Sequence, residues 1–384
     1  MTRRALRSVI AALAVLTTTA AAPSAADPAP GGGASAGHGP AVSWVDQVFD
    51  SLSDAQRVGQ LLMVDCPSTG AGAATLAAIR RYHVGSVILD GDSFLGVGAQ
   101  RAVTDALRAA APPRTQLLIA TDQEGGLVRR MRGAGFSAIP SAVVQGTWSP
   151  WWLQTQATAW GRQLSAAGID VDLAPVLDTV PAGDAGNPPI GQLDREFGHT
   201  PATVTAHGVA VLRGLAAAGI VATVKHFPGL GRVTANTDTS AGVTDRTTTV
   251  TDAYLAPFTA AIRVGAPFVM VSTAVYSRID ATSPAAFSTR IVTGLLRTTL
   301  GFRGVVISDD LGVARQVAAY PVGDRAVRFI RAGGDIVLTV DATRAAAMST
   351  ALLAHMRTDP AFRALVYAAT RRVLTAKLAR GLLF

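Results

Sequence analysis

Runs of apolar and β-branched residues alternate along this chain with Ala-rich stretches whose apolar positions recur at helical spacing. The runs are Leu61–Asp65, Ser86–Leu89, Gln116–Asp122, Asp170–Asp178, Val221–His226, Phe268–Tyr276, Gly304–Asp309 and Asp335–Asp341. Strand-like runs separated by helical stretches predict an α/β protein with a parallel sheet, because parallel neighbours need a helical crossover between them. Eight repeats predict closure into a single (β/α)8 TIM barrel. A doubly wound sheet usually has about five or six strands and a Gly-rich phosphate loop after the first, and no such loop follows Leu61–Asp65. Ser53 and Asp54, followed by Val58, Leu61 and Leu62, read as a capped amphipathic helix leading into the first strand. Only one or two helices fit after the last run, so residues 43–384 are expected to form one barrel domain.

The first 42 residues follow a different pattern. Arg3, Arg4 and Arg7 precede an apolar run from Val9 to Leu16, and Ser24, Ala25 and Ala26 stand before Asp27. A basic start, an apolar middle and small residues at the end predict a secretory signal peptide over residues 1–26. The apolar run stops at Thr17–Thr19, short of the about 20 residues a membrane span needs. No cysteine lies near the cleavage region, so no membrane anchor is expected. Residues 27–42, DPAPGGGASAGHGPAV, read as a flexible Pro/Gly/Ala linker. The expected location is secreted, either extracellular or associated with the cell wall.

Composition narrows the class. Hydrophobic residues make up 49% of the 384 residues and charged ones 16%, enough to fill a core and too little charge for a disordered chain. Cys66 is the only cysteine and has no internal disulfide partner. Removal of residues 1–26, which hold three arginines and no Asp or Glu, takes the net charge from +8 to +5. Lys225 and Lys377 are the only lysines, and the arginines are scattered without a basic run. That distribution argues against nucleic acid as a partner, although it is compatible with attraction to an anionic wall. No His/Asp spacing resembles a metal-ligand set, and no cofactor is expected. The protein is expected to act as a monomer on a carbohydrate substrate, for the following reasons.

Run after run ends in a polar cluster: TDQEGG at 121–126, PVLDT at 175–179, KHFPG at 225–229 and SDDL at 308–311. In a barrel these ends open on one face, where such folds hold their active sites. Any one of these carboxylates could merely stop a strand or cap the next element; their recurrence is what points to a site.

The clusters resemble glycoside hydrolase family 3, and within it the β-N-acetylglucosaminidase branch. KHFPGLGRVTANTD at 225–238 is similar to the family's KHFPGHG…DSH segment, and TDQEGGLVRR at 121–130 to its DQEGG…R segment. SDDL at 308–311 matches the segment bearing its nucleophile. GIDVDLAPVLD at 168–178, DREFG at 194–198 and the stretch 285–311 add further matches in the family's order. The resemblance implies a retaining glycosidase for terminal β-linked N-acetylglucosamine, with Asp309 as nucleophile and Asp310 as a structural cap. It also implies that Asp122, Arg130, Arg195, Lys225 and His226 hold the sugar hydroxyls and acetamido group, with Gly125 and Gly126 letting backbone approach the sugar. On the residues alone, His226 could equally be a satisfied buried imidazole, and Arg195 a partner of Asp194 or Glu196.

The chain departs from the family at the general acid/base. Where the family's loop after the fifth strand supplies Asp-Ser-His, this chain has Asn236, Thr237 and Asp238, and Leu230 replaces the other loop histidine. Asp238 is the expected acid/base in one reading, with a raised pKa and an acid-shifted optimum. In the alternative the loop has decayed, a gapped alignment puts Ser240 at the His position, and the barrel is a catalytically weakened sugar-binding or wall-associated protein.

Overall fold

The structure, a computed structural model, describes residues 43–184 and 186–384; the signal peptide and linker expected over 1–42 lie outside the described residues. Its centre is a ring of parallel strands: β1 (Leu62–Pro67), β2 (Ser86–Asp90), β3 (Leu118–Thr121), β4 (Val171–Asp172), β5 (Val221–Phe227), β6 (Phe268–Val271), β7 (Val305–Ser308) and β8 (Val337–Thr339). Each strand pairs with its neighbours in sequence, and β8 returns to β1 with Leu62 opposite Val337 and Val64 opposite Thr339. The last seam, between β7 and β8, closes at the bridge Ile307–Ile336. Helices follow the strands, ending with Ala345–Thr358 and Pro360–Ala379 after β8. This is the expected (β/α)8 barrel.

Local chemistry sets the helix starts. Ser53 and Gln56 form a reciprocal capping box on the helix Asp54–Gly59, and Ser149, Thr200 and Asp359 cap helices that each have Pro as their first residue. Such caps stabilise by about 0.5–2 kcal/mol each. Strand and helix faces meet in one main core of buried apolar side chains, including Met63, Ile119, Val224, Val269, Ile307 and Leu338.

Two of the predicted runs divide. Only Val171–Asp172 of the run 170–178 joins the barrel ladder, because Pro175 has no N–H to donate; Val176 rejoins at a single bridge to Lys225. In the run 268–276, Phe268–Val271 is β6, whereas Val275–Tyr276 pairs with Thr244–Asp245 and Asp280–Pro284 in a separate small sheet. That sheet flanks the loop after β5.

Carboxylates at the strand starts are structural. Asp170, just before β4, accepts from the Ile119 amide at 3.0 Å and from Arg108 at 2.6 Å. Asp335, before β8, takes the Val306 amide at 2.7 Å together with Arg297 and Arg372. The carboxylates at the strand ends behave differently.

Candidate active site

β3 runs into Asp122 and a small hairpin, Gln123–Gly125 against Val128–Arg129. Gly125 and Gly126 turn it with φ of 115° and 56°, and a Cβ on Gly125 would sit 2.2 Å from the Pro140 carbonyl. Both glycines serve the turn and its packing on Pro140 and Ser141. Asp122 and Arg130, at the two ends of the hairpin, line the barrel mouth, and the Glu124 side chain between them is buried.

Lys225 comes up from β5 and is 2% exposed. Its Nζ lies 2.5 Å from Asp122 Oδ1 and 2.6 Å from Glu124 Oε1. Arg195 grips the same Glu124 with Nε and Nη2 at 2.8 and 2.7 Å, and donates Nη1 to the Pro189 carbonyl. Burial alone would raise the pKa of Glu124, but the charges and hydrogen bonds of Arg195 and Lys225 outweigh it and hold it at about 2. Beneath them Asp172 accepts from the Gln123 amide at 3.0 Å, and burial pushes its pKa up to about 7 against that bond.

The His226 Nδ1 lies 2.6 Å from Asp178, which is fully buried and also accepts the amides of His226 and Leu230. A group taking two amide N–H donors is acting as an acceptor carboxylate, so Nδ1 carries the hydrogen. Nε2 is then free to accept from Arg195 Nη2 at 3.4 Å. One carboxylate thus fixes the imidazole and anchors the start of the loop after β5. Asn187, buried, donates to the carbonyls of Leu230 and Val233 and holds that loop further on.

The loop reaches Asp238. Asn236 Oδ1 accepts from the Asp238 amide at 2.8 Å, so Asn236 shapes the backbone in an Asx turn. Asp238 is exposed at the mouth and is one of the residues that line the cavity. Burial there, then the charges of Asp309 and Asp310, push its pKa up to about 6. Across the mouth, Asp309 follows β7 and its amide donates to Val271. Asp310 accepts the amides of Gly312, Val313, Ala314 and Val340, the capping contacts expected of it, though it caps a turn and not a helix.

These groups surround a cavity of about 390 Å³, within the size of small-ligand sites. Asp122, Arg130, Arg195, Lys225, His226, Asp238 and Asp309 all line it, so the structure brings together every site residue singled out from the sequence. Arg130 stands at the rim, 3.3 Å from Asp92. Arg195 pairs with Glu124 rather than with Asp194 or Glu196. Sequence reasoning missed Glu124 and Asp178. Both sit in the polar strand-end clusters it noted, and a buried Lys and Arg demand carboxylate partners.

A barrel that gathers a pair of carboxylates, two buried cations and an imidazole around a sugar-sized cavity at its C-terminal rim has the outline of a glycosidase. Comparison with known proteins agrees. Residues 55–376 match the glycosyl hydrolase family 3 N terminal domain. The chain is similar to a β-hexosaminidase of Stenotrophomonas maltophilia, 37% identical over 289 residues, covering 72% of this chain and 82% of that one. Among solved structures it is similar to a β-N-acetylhexosaminidase from Beutenbergia cavernae, with 52% identity, a TM-score of 0.84, and 85% of this chain and 98% of that one covered. A family 3 β-N-acetylglucosaminidase from a Paenibacillus species shows 31% identity and a TM-score of 0.78, over 86% of this chain and 63% of that one. The chain belongs to glycoside hydrolase family 3, and it is a glycosidase. Among the described residues no helix is long and apolar enough to cross a membrane.

Proposed function

We propose that this chain is a retaining glycosidase that releases terminal β-linked N-acetylglucosamine from cell-wall or chitin-type oligosaccharides, with Asp309 as nucleophile and Asp238 as acid/base. The observation that carries this reading is that the two carboxylates face one cavity, with the charge of Asp309 helping to keep a proton on Asp238. Retaining chemistry needs two carboxyl groups facing one sugar site, typically about 5–5.5 Å apart, one ionised and the other protonated.

In the first step an Asp309 carboxylate oxygen bonds to the anomeric carbon, the bond from that carbon to the leaving oxygen breaks, and the Asp238 proton passes to that oxygen. In the second, Asp238 takes a proton from water as the water oxygen attacks the anomeric carbon, and Asp309 leaves with its electron pair. Asp122, Lys225, Arg195, His226 and Arg130 hold the sugar ring; charge-assisted bonds in a desolvated pocket fix its orientation. The expected signal peptide would carry the enzyme to wall glycans, where its role would be turnover of the peptidoglycan.

The test is kcat/KM on an aryl N-acetylglucosaminide with an activated leaving group and on a β-linked N-acetylglucosamine disaccharide. Asp309→Ala should abolish turnover of both. Asp238→Ala should cost about 10²–10⁴ on the disaccharide and little on the activated substrate, and azide should restore its kcat by replacing base-assisted water. Binding of N-acetylglucosamine without turnover by the unaltered protein would instead support the weakened, sugar-binding reading.

A further inference from the structure

We infer that Gln316 is a positioning residue for the acid/base, clamping the loop that carries Asp238 to the chain segment that carries Asp309; this rests on the reading of Asp238 given above. Asp238 stands on the loop after β5 and Asp309 at the end of β7, yet one short ribbon joins their surroundings. It leaves β7 at Asp309, turns around the Asp310 carboxylate through the amides of Gly312, Val313 and Ala314, and enters the single turn Arg315–Val317. There its main chain meets the loop: the Arg315 amide donates to the Asp238 carbonyl and the Gln316 amide to the Thr237 carbonyl, both at 3.0 Å.

The Gln316 side chain completes the attachment. Its Oε1 accepts from the Val243 amide at 2.8 Å and its Nε2 donates to the Val243 carbonyl at 3.1 Å. Gln316 is 8% exposed and Val243 4%, so water does not replace these bonds when they break. Val243 also accepts from the Val275 amide, which ties it to the small sheet beside the loop. The segment from Thr237 to Val243 is thereby held at both ends, with Asp238 near one of them. A side chain that satisfies an N–H and a C=O of one residue at once needs both a donor and an acceptor, and the Gln amide carries one of each on adjacent arms. Proton transfer demands placement within about 0.5 Å, and Asp238 is an exposed residue on a loop. Its carboxyl is placed by this clamp.

The experiment compares Gln316→Met, which keeps the volume and removes both side-chain bonds, with the unaltered protein and Asp238→Ala. The readout is kcat/KM on the N-acetylglucosamine disaccharide and on the activated aryl substrate, each across pH. Gln316→Met should lose about tenfold or more on the disaccharide and stay within about twofold on the activated substrate, a fraction of what loss of a general acid costs. The alkaline limb of its disaccharide profile should also move toward lower pH as the carboxyl loosens into water. Turnover of the activated substrate certifies an assembled pocket, and Gln316→Ala repeats the comparison should the Met variant not fold. Equal losses on both substrates, or no loss on the disaccharide, overturn the clamp. If Asp238→Ala shows the leaving-group dependence and Gln316→Met does not, only the clamp falls; if Asp238→Ala does not show it, the acid/base reading falls and takes the clamp with it.

Discussion

Glu124 holds Arg195 through both carboxylate oxygens, at 2.7 and 2.8 Å, and shares one of those oxygens with Lys225 at 2.6 Å. A buried cation that loses such a partner is strongly destabilising, by about 3–5 kcal/mol for a broken buried pair. Glu124→Ala should cost about that much in unfolding free energy by urea titration. The pH dependence has a definite sign. Glu124 is held at about 2 in the folded protein, so its contribution is complete above the ordinary Glu value and is lost as the pH falls from there through about 2. The acid limb of the stability profile should be correspondingly shallower in Glu124→Ala.

The proton on Asp238 sets an upper pH limit for cleavage. With its pKa raised to about 6, kcat/KM on a disaccharide should fall as the pH rises through that value, because the leaving oxygen then lacks a donor. An activated aryl substrate, which needs no such proton, should keep its kcat/KM over the same range. A common profile for the two substrates would count against Asp238 as the acid.

Asp178 combines two tasks, aiming His226 and receiving the amides of His226 and Leu230. Asp178→Ala should leave those buried donors unmatched and cost about 1–3 kcal/mol. It should also weaken N-acetylglucosamine binding, since Nε2 of His226 would no longer be aimed at Arg195. A thermal melt with and without the sugar reads both effects.

Far from the mouth, Lys377 lies fully buried on the last helix with its Nζ on Gln60 Oε1, and burial pushes its pKa down to about 7. The unfolded chain binds a proton there up to about pH 10.4 that the folded chain releases, so stability should rise with pH between those limits, by at most about 1.4 kcal/mol per unit. Lys377→Met should remove that slope, as followed by denaturant unfolding at successive pH values.

The barrel was legible because its signal is periodic and local. Each run of Val, Ile and Leu marks a strand wherever it folds, and Ser53, Ser149 and Asp359 mark helix starts through bonds to amides only three residues away. Where Pro175 interrupts the ladder, or where Val275–Tyr276 leaves the barrel for a second sheet, the same apolar pattern fits both outcomes, so the run lengths were overread. Asp122, Lys225, His226 and Asp309 were legible because they stand at strand ends, and the ends of a parallel barrel share one face; Arg130, Arg195 and Asp238, set beyond the strands, were reached through the family resemblance.

What the chain determined by itself is therefore the order of elements and the rim on which its polar clusters fall. What only the tertiary structure decided is which charge meets which. Glu124 takes Arg195 and Lys225, Asp178 takes His226, Asp310 builds a turn, and Gln316 ties the loop of Asp238 to the ribbon of Asp309. Except for the local turn at Asp310, those pairings join residues far apart in the chain, and in desolvated surroundings each buried charge or amide must find the partner that the folded geometry brings within reach. Sequence spacing holds no record of that distance.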